Sequence, residues 1–263
     1  NNQNNNPSTT ATAWTEYDLL ERWNTEQTYK IGDPVTRTNR FYTSLTNSNT
    51  GNDPATDTTN WQDAQAFKVP TSQAFTAGGT WTKPAGVLFI VLEVQGGGGG
   101  GGASGATASA SGGAGGGGGY GRIIIDASAL TSETVTVGAG GAGGVAGNGS
   151  NGGDTSLGAL LTATGGSFGN LGTSGTASGG NGGGSGSADL QVLGSDGQRG
   201  DQGFSAGTRG GGSFLGYGGF GTPTGGLNGE GRGGGGAGGR NGGVASDGGA
   251  GSSGQLIVTE YYQ

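Results

Sequence analysis

The chain contains no cysteine, no histidine and no methionine, and only 6 prolines in 263 residues. Without cysteine there can be no disulfides and no thiolate metal sites. Without histidine there is no imidazole general base, and a zinc centre loses its commonest remaining ligand. Charge is also scarce: charged residues make up 11% of the chain and the formal net charge is −7. Residues 1–70 carry 8 acids and 5 bases and the remainder 10 and 6, so neither part offers the basic footprint that nucleic acid requires. Hydrophobic residues reach only 29%, and no apolar run has the length of a membrane-spanning helix. Neither nucleic-acid binding nor membrane insertion is therefore expected. The chain begins without Met and without a signal-like segment, as a fragment or a processed product would.

What the chain does have is glycine, at 70 positions. Much of it is in register. Gly138, Gly141, Gly144 and Gly147 recur every three residues, as do Gly112, Gly115, Gly118 and Gly121, and Gly233, Gly236, Gly239 and Gly242. Three residues per turn is the repeat of a polyproline-II helix, which makes no internal hydrogen bonds. With few prolines, the backbone N–H groups remain available to neighbouring helices. The expectation is a bundle of packed polyglycine-II helices, with 138–153 as one helix running between two strands. The competing reading is a disordered Gly/Ser linker. Strands rich in Val, Ile and Leu interleave with the tracts, and this favours order.

Residues 1–13 read as a flexible lead and 14–66 as a small β module. Trp14, Tyr17 and Leu20 fall near one face of a short helical turn. Thr28 to Ser44 reads as a hairpin about Gly32-Asp33-Pro34, with Tyr29, Ile31 and Val35 alternating; a second turn follows at Arg37–Arg40. Tyr29-x-Ile31-Gly32-Asp33-x-Val35, then Phe41-Tyr42-Thr43-Ser44, Pro54 and Trp61 together resemble the carbohydrate-binding modules of family 5/12. The resemblance implies that these aromatics are mostly core, and that sugar binding uses further exposed aromatics in the loop after Tyr42. Here that loop, Leu45–Gly51, has none. Docking and spacing are the alternatives to sugar binding, with Trp14 and Trp23 the candidate glycan-stacking residues.

Residues 67–73 read as a linker, and 74–263 as a β-sandwich-like frame carrying the glycine helices. Strands are expected near Phe75–Thr82, Val87–Val94, Tyr120–Asp126, Ser132–Val137, Asp154–Leu157, Leu160–Thr164 and Gln255–Glu260. The Val87 strand is apolar enough to be buried on nearly both faces. The first and last strands should pair and hold the glycine insertions between fixed ends. The fold class is thus all-β with a polyglycine-II helix bundle. The stretches FTAGGTWTKPAGVLFIVLEVQGGGGGGG, ETVTVGAGGAGG, GGDTSLGALLTATGG and GSSGQLIVTEYY resemble the glycine-rich domains of bacteriophage tail fibre and tail-tip proteins. That resemblance implies a rigid scaffold with receptor-binding loops at its free end.

Recognition would then fall to the breaks in the glycine register. Two breaks, 185–209 and 213–232, carry large side chains, and the candidate receptor-binding residues are Leu190, Arg199, Phe204, Phe214, Tyr217 and Phe220. Rigid aromatics make contact anchors at low entropic cost. Arg199-Gly200-Asp201 falls within the glycine register, where its occurrence as a tripeptide is a matter of chance. No acid pair has glycosidase spacing, no metal cluster stands out, and the GxGxxG-like spacings lack a strand–loop–helix setting. No enzyme and no cofactor are expected. The sequence reads as a virion adhesin, extracellular at a tail tip or fibre. Its partners would be other tail proteins and a bacterial surface glycan, pilus or outer-membrane protein. A homotrimer would suit a fibre, although no heptad supports one. The alternatives are a structural baseplate, tail or capsid decoration protein, and an ice-binding polyglycine-II protein.

Overall fold

The computed structural model describes residues 22–38, 40–64, 69–106, 110–173, 176–201, 207–242 and 244–262. They divide into two units, 1–68 and 69–263. Among the described residues there are strands and no helix, so the fold is all-β. The helical turn expected around Trp14 and Tyr17 lies outside the described residues.

The first unit holds β1 (Thr28–Tyr29), β2 (Pro34–Arg37), β3 (Arg40–Ser44), β4 (Asn49–Thr50) and β5 (Trp61–Asp63). A sheet of order β2-β3-β5 packs with the β1-β4 pair. Its core is Tyr29, Val35, Tyr42 and Trp61, with Trp23 against it. The Tyr29 and Trp61 rings meet edge to face at 5.1 Å. The hairpin expected about Gly32-Asp33-Pro34 is not formed. β1 turns away to pair with β4, and the hairpin is β2-β3, closed through Thr38 at φ 51°. Asp33 explains the difference, because its Oδ2 accepts the Lys30 N–H at 2.7 Å and tightens a local turn. Ile31 consequently faces solvent.

The second unit starts earlier than expected. Residues 71–73, read as linker, belong to β6 (Thr71–Phe75). The frame continues with β7 (Gly79–Thr82), β8 (Val87–Gln95), β9 (Tyr120–Asp126), β10 (Ser132–Thr136), β11 (Thr155–Leu157), β12 (Leu161–Ala163) and β13 (Leu190–Val192). Four short strands follow, β14 (Gly216–Tyr217), β15 (Gly221–Thr222), β16 (Gly225–Gly226) and β17 (Glu230–Gly231), and then β18 (Gln255–Tyr262). The larger sheet runs β13-β9-β8-β18-β6 and the smaller β12-β11-β10-β7, all pairs antiparallel. The last strand does pair with the first, Leu256 opposite Phe75. Ile90, Leu92, Val94, Leu256 and Val258 of the larger sheet pack on Trp81, Val135, Leu157, Leu161 and Ala163 of the smaller. β8 is less enclosed than its composition suggests, since Leu88 and Phe89 at its start are exposed. Glu260 is buried in the frame, and its carboxylate accepts from Trp81 Nε1 at 2.9 Å and from Gln73 and Thr71.

At Gln95 the frame becomes a lattice. The backbone hydrogen bonds of 96–104 address three neighbours in strict rotation. Gly96, Gly99 and Gly102 donate to Gly119, Gly116 and Gly113. Gly97, Gly100 and Ala103 donate to Gly153, Ser150 and Gly147. Gly98, Gly101 and Ser104 donate to Ser252, Gly249 and Ser246. The carbonyls rotate in the same way: Gly97, Gly100 and Ala103 accept from Gly166, Gly169 and Gly172, Gly98 and Gly101 from Gly141 and Gly144, and Gly99 and Gly102 from Gly236 and Gly239. This segment therefore has six backbone neighbours, addressed in a strict three-residue rotation. Segment 112–119 is enclosed in the same way. Its Gly112, Gly115 and Gly118 donate to Gly239, Gly236 and Gly233, so two of the glycine registers seen in the sequence pair with each other.

Six neighbours leave almost no room for side chains; within 112–119 only the methyl group of Ala114 is accommodated. A Cβ on Gly100 would overlap the carbonyl of Ala142, and one on Gly101 that of Ala237. Outer segments need glycine only where they face a neighbour: at every third residue in 166–172, and everywhere but the exposed Ala139 and Ala142 in 138–144. Residues 138–153 prove to be two segments rather than one helix. They reverse at Val145–Ala146, where Ala146 has φ 52°, and Ser150 N–H then donates to Ala142.

Candidate functional site

The outer segments leave N–H groups with no glycine neighbour, and side chains of the next segment cover them. Asn148, Asn151 and Asp154 accept in turn from the backbone N–H of Leu171, Phe168 and Gly165, at 2.8, 3.0 and 2.9 Å. Asp196 accepts from Gly182, Gln198 from Arg209 and Asn228 from Ala250. Residues 145–151 are thus a reversal followed by edge-covering residues.

Residues 207–232 carry a further group of exposed side chains. β14 pairs with β17, placing Tyr217 opposite Glu230, and β15 pairs with β16 through a turn at Pro223–Thr224. Lattice bonds fix this backbone: Gly210 N–H donates to Gly219, Gly219 to Gly235, and Leu227 to Phe220. Arg209 follows the buried Thr208, whose hydroxyl bonds Gly112 and Gly238, so the Arg209 side chain is directed outward. Its guanidinium lies over the Phe220 ring at 4.6 Å. The result is a cleft of about 220 Å3 lined by Arg209, Tyr217, Phe220, Leu227, Asn228 and Glu230 over a Gly218-Gly219 floor. Tyr217 is 71% exposed, Phe220 57% and Leu227 52%.

Among the candidates from sequence, Tyr217 and Phe220 come together here. Phe214 packs instead on Tyr120, ring centroids 4.3 Å apart. Leu190 is on the sheet edge at β13, opposite Arg122, and Arg199 is exposed beside the lattice residue Gly200. Phe204 and Trp14 lie outside the described residues. Trp23 in the first unit is half-buried, with Arg37 over its ring at 4.7 Å. Arg209, Leu227, Asn228 and Glu230 were not singled out in the sequence. Their signal is weak: each falls in a run of one or two non-glycine residues between glycines.

Two further features bear on chemistry. Burial raises the Tyr120 phenol well above the ordinary tyrosine range, and its bond to Glu93 adds to the shift. No group of three or more metal-ligating side chains occurs among the described residues.

A family model for the glycine-rich domain matches residues 71–261. The chain belongs to the glycine-rich domain family. The match runs from the start of β6 nearly to the end of β18, so in this chain the glycine-rich domain comprises the strand frame together with the bundle. A search of the curated proteins finds no match.

Proposed function

We propose that the chain is a non-enzymatic adhesin of a bacteriophage tail tip or fibre, attaching the virion to a bacterial surface. The observation that carries this reading is the gathering of Tyr217, Phe220 and Leu227, all exposed, on a backbone held by lattice hydrogen bonds. Exposed aromatics cost solvation unless a partner covers them, and a fixed backbone removes the ordering cost of binding. The glycine bundle is the rigid mount and the clefted edge is the contact. The first unit docks to other tail proteins or adds a glycan contact.

The test is adsorption of the labelled chain to a panel of bacterial cells, compared with the Tyr217→Ala/Phe220→Ala variant. Both side chains are exposed, so the variant should keep its melting temperature. Cell-bound protein should fall at least about tenfold, the loss of one good aromatic anchor. Undiminished adsorption of a folded variant, or adsorption to no cell type, overturns the assignment.

A further inference from the structure

A second cleft, of about 390 Å3, adjoins the first and is lined by Ser195, Asp196, Gln198, Arg209, Gly210 and Gly212. Arg209 belongs to both. We propose that the two clefts are one elongated site for a neutral oligosaccharide. This rests on the adhesin reading above and narrows its ligand to one class.

Three observations converge. First, the polar side chains are already oriented. Asp196 holds Gly182 N–H with Oδ1 at 2.8 Å, Gln198 holds Arg209 N–H with Oε1 at 3.0 Å, and Asn228 holds Ala250 N–H with Oδ1 at 2.8 Å. Each is pinned by one atom and has a second, Oδ2, Nε2 or Nδ2, that makes no hydrogen bond among the described residues. Amide donors and carboxylate acceptors fixed in this way match the alternating hydroxyls of a sugar and lose no rotamer freedom on binding. Second, one aromatic face is open. Arg209 covers the Phe220 ring, whereas Tyr217 is 71% exposed and can stack on a pyranose ring. Third, the charge balance selects against acidic ligands. The single lining cation, Arg209, is outnumbered by Asp196 and Glu230, so an anionic polymer would meet net repulsion. The shared residue sets the length: a ligand filling both clefts must pass Arg209, so a longer chain gains contacts that a disaccharide cannot make.

The experiment is binding of the whole chain to immobilised neutral oligosaccharides of two to eight units and to uronic-acid-bearing counterparts, with cell adsorption measured in parallel. Binding should favour the neutral series, strengthen with length and change little between low and high salt. Tyr217→Ala should weaken it at least about tenfold. Gln198→Ala, in the other cleft, should weaken the long ligands several-fold and the disaccharide little. Preference for the acidic series, equal affinity at all lengths, or indifference to Gln198→Ala overturns the proposal. Cell adsorption that depends on Tyr217 without binding to any glycan sinks the oligosaccharide assignment alone; loss of both sinks the adhesin reading with it.

Discussion

The frame and the bundle of the second unit are stabilised by opposite means. In the frame, side chains do the packing: Leu92, Val94 and Leu256 are fully buried, and the backbone only spaces them. In the bundle, backbones pack directly on one another, and every buried position from 96 to 102 is a glycine. A core of side chains tolerates exchange of one hydrophobe for another, because neighbours can shift rotamers. A core of carbonyls and amides has no rotamers to shift. Glycine costs about 0.5–1 kcal/mol per residue relative to alanine in regular structure. Each lattice hydrogen bond returns a similar net amount. The bundle therefore holds only while nearly all of its bonds are made together.

The largest effect should come from the bundle centre. Gly100→Val should abolish cooperative unfolding of the second unit, because the side chain would displace the Ala142 carbonyl. Gly79→Ala, in strand β7 with open space around it, should change stability by no more than about 0.5 kcal/mol. Thermal melts of the two variants would end the comparison if they looked alike. Next is the frame. Leu92→Ala should cost about 2–5 kcal/mol in urea unfolding yet leave a folded protein, as cavities in side-chain cores do. Smaller again is the bundle edge: Asn151→Ala strips the Phe168 N–H of its acceptor and should cost about 1 kcal/mol. Hydrogen exchange at Phe168 should speed up selectively, and unchanged exchange would contradict the edge role.

The smallest effect concerns alkali. The Tyr120 phenol is raised in the folded state, so its contribution is intact below the unfolded value of about 10 and fades as pH climbs through the folded one. The difference in urea midpoint between the native chain and Tyr120→Phe should therefore narrow as pH rises from 8 to 11. A constant difference would show that the phenol does not titrate with unfolding.

The strands of the frame were legible in the sequence because their apolar residues alternate or run together. β13 was not, since a strand of three residues is too short to show a period. The register of three was also legible, but its partners were not. Glycine has no side chain to mark which segment it faces, so the reversal at Ala146 and the six neighbours of 96–104 left no trace. One signal was open to reading: near-continuous glycine, as in 96–102 and 112–119, marks an enclosed segment, whereas glycine only at every third residue, as at Gly166, Gly169 and Gly172, marks an outer one. The candidate site was half legible. Tyr217 and Phe220 stood out as aromatics among glycines, while Arg209, Asn228 and Glu230 resembled any polar break. Asn148, Asn151 and Asp154 are spaced three apart because they follow the register of the segment they cover.

A lattice of this type has no natural size. Its outer faces present the same donors and acceptors as its interior, so a second molecule could add to it as readily as its own next segment, much as an unguarded edge strand recruits another chain. The row of Asn148, Asn151 and Asp154 closes one such face with short side chains that accept what an incoming backbone would have accepted. These residues make the bundle finite. Converting all three to glycine would extend the register outward and favour lateral, fibre-like assembly of a protein that is otherwise built to stop growing.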